Sequence, residues 1–305
     1  MILNSLFPVF GLILLGGCLK RWGLTDDRFL KTSDRLVYFI FFPAMLFWKI
    51  GGKPMDAVVP WNFCAAVLLS VVGIYLLSAI CIKLFGITDF EAGSFSQSCY
   101  RFNSYIGIAI IFNSLGEPGV VQFGILIGFI IPIINLLAVS TLIWFSGKKV
   151  AVTERFRIII AALVSNPLIL ACIAGILYAR FIRTFPEFID NTFRLMSLVT
   201  LPLALLSIGG ALTFNTLKRC FKASLAASVL KLVVLPTLGW FLLKGFAIEG
   251  IHLKIGMIFF CLPASTAIYV LSSQLSSDTD LASASIVLST ILSFLSLSLA
   301  MVLFF

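Results

Sequence analysis

The chain is poor in charge, and poorer still in residues that carry acid–base and metal chemistry. Only 11% of its 305 residues are charged, less than half of the roughly 25% usual in soluble domains. Its single histidine, His252, lies at the edge of an apolar run. A zinc site or a Ser-His hydrolase within the apolar body is therefore not expected. No Asp or Glu falls in the interior of any apolar run, so the carboxylates that serve proton relays and membrane ion sites are missing. The seven cysteines (Cys18, Cys64, Cys81, Cys99, Cys172, Cys220 and Cys261) are scattered, and none forms a C-x-x-C pair. They read as small packing residues rather than disulfides or metal ligands. An enzyme would need a nucleophile and a base, and no interior His, Asp or Glu supplies one. No cofactor is expected.

What the chain has in excess is apolar sequence. It is 60% hydrophobic with a mean hydropathy of +1.12, which indicates helices crossing a bilayer, where every backbone polar group must be satisfied internally. The net charge of +9 is then no nucleic-acid signal, because Lys and Arg sit in short loops as membrane orientation requires. Ten spans are expected, at 2–19, 34–51, 61–85, 93–115, 119–146, 157–179, 192–213, 221–245, 252–275 and 281–304. Gly51-Gly52-Lys53-Pro54, Gly116-Glu117-Pro118-Gly119, Gly147-Lys148-Lys149 and Thr184-Phe185-Pro186 punctuate them. The first run has no basic residue before it and Lys20-Arg21 after it. It reads as a first helix rather than a signal peptide. Counting basic residues at the span ends with the adjoining loops, the odd-numbered loops hold 13 Lys and Arg and the even-numbered loops 7. The odd loops are expected in the cytoplasm, with both termini outside.

The two halves echo each other at a spacing of 159. Pro8 maps to Pro167, Gly16 to Gly175, Arg35 to Arg194, Leu36 to Leu195, Pro43 to Pro202 and Leu46 to Leu205. Residues 1–146 and 157–305 each read as a five-helix repeat. An odd number of spans makes the second copy enter from the opposite side, an inverted-topology repeat such as many secondary transporters use.

In such folds the substrate sits near the midplane, where discontinuous helices meet. Spans four and nine carry the polar and helix-breaking residues. Span four holds Arg101, Asn103, Ser104 and Tyr105, and span nine holds Pro263, Ala264, Ser265 and Thr266. At the repeat spacing Ser104 aligns with Pro263. The proline removes an amide donor and crowds the preceding turn, and small polar neighbours satisfy what it frees. Asn103, Ser104 and Tyr105 read as substrate ligands through side chains and free N–H groups, or else as interhelical hydrogen-bonding residues. Arg101 reads as an anion attractor or conformational control, against a plain pairing with a helix C-terminus or the interface. Lys231, near the middle of span eight, reads either as a fixed cation where a relative binds sodium, or as a lysine on carbonyls at a broken helix end. Asn135, in span five, is a weaker substrate candidate. Asn166-Pro167 matches Phe7-Pro8, and these prolines with Pro43 and Pro202 read as scaffold. Two buried cations without a buried anion suit a small anionic solute such as a carboxylate.

Pro8 to Gly16 followed by Lys20-Arg21, Leu36 to Pro43-Ala44-Met45-Leu46-Phe47, and Asn103 with Gly107 and Gly116 form a series. Thr200-Leu201-Pro202-Leu203-Ala204-Leu205 with Gly209, Leu262-Pro263-Ala264, and Ser289-Thr290 with Ser293 continue it. In this order the motifs resemble the auxin efflux carrier family, which includes plant PIN-FORMED carriers and bacterial malate-permease-like members. The resemblance implies ten helices with broken helices four and nine crossing. It implies a scaffold domain of helices 1, 2, 6 and 7, and a transport domain of helices 3–5 and 8–10 that slides as an elevator. Asn103 carries over as a substrate ligand and Pro263 as a crossover residue. Two departures stand out. Phe102 and Ala109 occupy positions where a span-four proline would be expected, so a break there falls to Asn103-Ser104. The long cytoplasmic loop of plant carriers is absent, which points to a compact bacterial member in the inner membrane.

The expected function is thus a secondary transporter of a small organic anion. The alternative is a sodium-coupled symporter of a related fold. A membrane receptor would bind without flux, and the sequence carries no soluble domain to relay a signal. A homodimer is expected because an elevator needs an anchored scaffold.

Overall fold

The computed structural model describes residues 2–52, 60–146, 157, 160, 166–182 and 184–305. All regular elements among them are helical. In chain order they are α1 (Ile2–Arg21), α2 (Asp27–Leu36), α3 (Phe42–Gly51), α4 (Trp61–Leu84), α5 (Asp89–Tyr100) and α6 (Ser104–Phe145). There follow α7 (Pro167–Phe181), α8 (Glu187–Ala211), α9 (Phe221–Val229), α10 (Leu235–Gly245), α11 (Gly250–Cys261), α12 (Ala267–Gln274) and α13 (Thr279–Phe304). Six helical stretches among the described residues are long and apolar enough to cross a membrane. One of them, Asp89–Phe145, takes in both expected spans four and five. These two join without a loop. Gly116, at φ 65° and ψ −158°, marks the kink between them, a conformation open to glycine because it has no Cβ. Lys53-Pro54, Gly147-Lys148-Lys149 and most of the first part of span six lie outside the described residues.

Short π-turns, Val37–Phe41 and Leu230–Val234, join α2 to α3 and α9 to α10. Each is followed two residues later by a proline, Pro43 and Pro236. A proline withholds one donor and crowds the preceding turn, and a widened turn relieves both effects.

The chain forms two compact units. Unit 1 comprises Met1–Pro60, Ile108–Ile131 and Leu163–Ala211. Here α1 lies against α8 with backbones touching: a side chain at Gly16 would strike the Leu206 carbonyl, and one at Gly209 the Ile13 carbonyl. Helix α3 lies against α7 in the same manner. A Cβ at Gly175 would sit 3.2 Å from the Phe47 oxygen and 3.0 Å from Ile50 Cβ. Small residues let membrane helices approach this closely where no hydrophobic effect drives them together. Between α8 and the first π-turn, Thr200 Oγ1 donates to the Phe41 oxygen at 3.3 Å. Phe47, Tyr178, Phe185 and Phe193 form an aromatic cluster, with Tyr178 and Phe185 stacked at 4.3 Å.

Unit 2 comprises Trp61–Gly107, Pro132–Ala162 and Leu212–Phe305. Its fully buried side chains include Phe63, Phe95, Tyr100, Phe259 and Phe260. Thr88 and Glu91 form a capping box at the start of α5, and Asp278 caps α13 through the N–H groups of Asp280 and Leu281. Ser94 ties α5 to α12 and the segment after it by bonds to Ser272 at 2.7 Å and Ser277 at 3.0 Å. In both units large apolar side chains such as Phe7, Leu14, Leu76 and Leu299 are exposed on helices. Acyl chains solvate such faces as well as a protein interior does.

Candidate functional site

Two helices stop inside unit 2 and restart a few residues later. Helix α5 ends at Tyr100, and its cap Arg101 turns extended at φ −67° and ψ 144°. Helix α11 ends at Cys261, and its cap Leu262 adopts φ −67° and ψ 145°. The two ends are thus equivalent at an offset of 161. The sequence register of 159 slips by two residues here. Helix α6 restarts after three residues and α12 after five. The span-four break therefore exists without a proline. Phe102 packs its ring on Phe259 at 4.5 Å, and the turn is made by capping.

Asn103 is that cap. Its Oδ1 accepts from the N–H groups of Tyr105 at 3.1 Å and Ile106 at 3.2 Å, two of the donors a helix start leaves unmatched. Its own backbone N–H donates to the Pro263 oxygen at 3.0 Å. The two breaks are therefore joined main chain to main chain. On the other side, Ala264 N–H donates to Ser289 Oγ at 3.0 Å, and Ser265 Oγ accepts from Ala267 N–H at 3.3 Å. Ser265 and Thr266 are partly exposed, whereas Pro263 and Ala264 are buried.

Each of the two buried cations lies at a C-terminal end of a half-helix. Arg101, 7% exposed, donates to Gln97 Oε1 at 3.3 Å and to Asn135 Oδ1 at 3.0 Å. Lys231, fully buried in its π-turn, donates to the Phe260 oxygen at 3.4 Å. Ser296 donates to the adjacent Cys261 oxygen at 3.2 Å. The last carbonyls of a helix carry partial negative charge. Cations there find an electrostatic partner without a carboxylate, which accounts for Arg101 and Lys231 within apolar runs that carry no interior acid. Arg101 holds Asn135 by its oxygen, so Asn135 serves the arginine in this structure.

All ten sequence-selected residues lie in unit 2. The bonds above join Arg101 to Asn135, and Asn103 to Tyr105 and Pro263. Gln97, fully buried, was missed. Its place four residues before Arg101 puts both on one helical face, a signal present in the sequence. Ser296 was also missed, and no local pattern distinguishes it from the other serines of α13.

A family model described as membrane transport protein matches residues 1–301. The chain belongs to this family, the auxin efflux carrier family. It is a family of transporters and not of enzymes, and this transporter is a multi-pass membrane protein. No curated protein matches the chain. Membership implies a transported substrate, and the interrupted helices of unit 2 bring buried polar groups together, Gln97, Arg101 and Asn103 among them.

Proposed function

We propose that the protein is a secondary transporter that moves a small organic anion by an elevator-type alternating-access mechanism. The observation that carries this reading is the junction of the two breaks, where Asn103 N–H meets the Pro263 oxygen. The half-helices α6 and α12 start beside that junction, so their N-terminal dipoles favour a bound carboxylate. Arg101 and Lys231 neutralise the opposite, C-terminal ends of the broken helices. Asn103 Nδ2 and the hydroxyls of Ser104, Tyr105, Ser265 and Thr266 supply the donors around the substrate, and Ala264, whose N–H is held by Ser289, lines it.

An inverted repeat of two five-helix halves underlies this arrangement. Its support is the reciprocity of contacts at the 159 spacing. Gly16 meets Leu206, and Gly175 meets Phe47, which is the same pair with the halves exchanged. Thr200 meets Phe41, a residue and its own counterpart, as expected of positions on a pseudo-two-fold axis. Helices 1, 2, 6 and 7 form the scaffold, and helices 3–5 and 8–10 the moving part. Both termini lie outside, from the count of basic residues. The scaffold anchors a homodimer. Lys231 on the Phe260 oxygen removes the need for a sodium ion at that helix end, which weighs against sodium coupling.

Counterflow in proteoliposomes with a panel of mono- and dicarboxylates, with and without sodium and pH gradients, tests the reading. The expected result is saturable exchange of at least one acid without a sodium requirement. Exchange of none by folded protein would sink it. Asn103→Ala is expected to abolish exchange while the protein remains folded.

A further inference from the structure

A cavity of about 400 Å³ lies wholly within unit 1. Its walls are mostly apolar, with Pro8, Leu12, Phe112 and Leu201 among them, and Lys49, Glu117 and Arg194 are its charged groups. Lys49 is on the last turn of α3, Glu117 follows the Gly116 kink of α6, and Arg194 is on α8. Two cations and one carboxylate leave the cavity one positive charge in excess.

The ion pair within it is lopsided. Lys49 Nζ and Glu117 Oε1 are 2.5 Å apart, but the lysine side chain is 11% exposed and the glutamate 46%. The cation is held independently of its partner. It lies 4.2 Å from the centre of the Trp48 ring and 5.7 Å from that of Phe112, within the range of cation–π attraction. The Trp48 ring is itself fixed, since its Nε1 donates to Asp190 Oδ1 at 2.7 Å. The carboxylate is the more exposed member of the pair, about half in water.

We propose that this cavity is a docking site for the transported anion, whose carboxylate replaces that of Glu117 on Lys49. The proposal rests on the organic-anion reading above and adds where the anion first engages. Glu117 acts as a resident stand-in for the substrate. It keeps Lys49 paired while the site waits and swings to water when the anion arrives, and the apolar walls take the rest of the solute.

The test uses 4-bromobenzoate, whose bromine quenches indole fluorescence. The full chain would carry Trp48 as its only tryptophan, with Trp22, Trp61, Trp144 and Trp240 changed to Phe. Saturable quenching is expected in this background. Glu117→Gln should bind the probe roughly fivefold more tightly, the upper range for release of a half-exposed partner. Lys49→Met should lose saturable quenching. The exchanged pair Lys49→Glu with Glu117→Lys restores the tie and guards against a folding defect, and it should also fail to bind. Unchanged or weaker binding in Glu117→Gln, or normal binding in the exchanged pair, would overturn the proposal and leave the pair as a structural tie. Flux is measured separately: carboxylate counterflow without quenching refutes this site and spares the transport reading, and quenching without counterflow does the reverse.

Discussion

The two broken helices of unit 2 end alike and begin again differently. Their first halves stop with the same backbone angles, at Arg101 and Leu262. After that, one break spans three residues and relies on an asparagine cap, whereas the other spans five and contains Pro263. Their exposed carbonyl ends are also treated differently. At the first, an arginine is held by the side chains of Gln97 and Asn135. At the second, Lys231 and Ser296 reach the carbonyls directly. The difference teaches that an interrupted membrane helix needs its loose donors and acceptors matched, and that no particular residue is required to do it. A proline deletes a donor, a cap accepts from one, and either permits a break.

The largest effect is expected where matching is most deeply buried. Lys231→Met leaves the Phe260 oxygen without its charged partner, which costs about 1–3 kcal/mol for a buried unmet acceptor. Melting of the purified protein should fall by several degrees and exchange should be lost. A variant as stable as the parent would show that the α11 end needs no cation and that the two breaks differ in this respect.

Next comes the cap. Asn103→Ala should cost about 1 kcal/mol and abolish exchange. Asn103→Asp keeps an acceptor for Tyr105 and Ile106, so melting should recover while exchange does not. Recovery of both by Asp would reduce Asn103 to a cap and remove it from substrate binding.

Pro263→Ala should act less. Helix α11 has already ended at Leu262, and Ala264 is bonded to Ser289, so the break persists. The loss should be roughly 0.4–1 kcal/mol, through the greater freedom of the unfolded chain. A larger loss would show that the second break depends on its proline in the way the first depends on its asparagine.

The smallest effect lies outside both breaks and serves as a reference. Lys20 donates to Asp27 at 2.6 Å, and this bond, with the lysine's charge, holds the Asp27 carboxyl below its ordinary value. The pair's contribution is present at neutral pH and is lost as pH falls through the acid range below about 4. Comparing Asp27→Asn with the parent at pH 7 and pH 3 should show a small melting difference at pH 7 that shrinks at pH 3. A difference as large as that of Lys231→Met would invert the ranking.

Much of the fold was legible in order along the chain. Apolar runs located the crossing helices, Gly116 marked the kink between spans four and five, and Arg101, Asn103 and Pro263 marked the interruptions. The structure puts Gly209 against Ile13 of the same chain. The partners of the polar residues were not legible. Asn135 is 34 residues from the arginine it accepts from, and Glu117 is 68 residues from Lys49.

By itself the sequence determined that this protein is helical and lives in a membrane, because hydropathy, proline and glycine act on the nearest turn of backbone. It also determined that the charges within the apolar runs, Arg101 and Lys231, are cations, since the acids fall outside the interiors of those runs. Only the tertiary structure decided what answers those cations. A hydrogen bond depends on two groups meeting within about 3 Å, and in a helical membrane protein such groups come from segments far apart in the chain. The carbonyl that receives Lys231, the Pro263 oxygen that accepts from Asn103 N–H, and the half-exposed carboxylate on Lys49 all exist as partners only after the helices have packed.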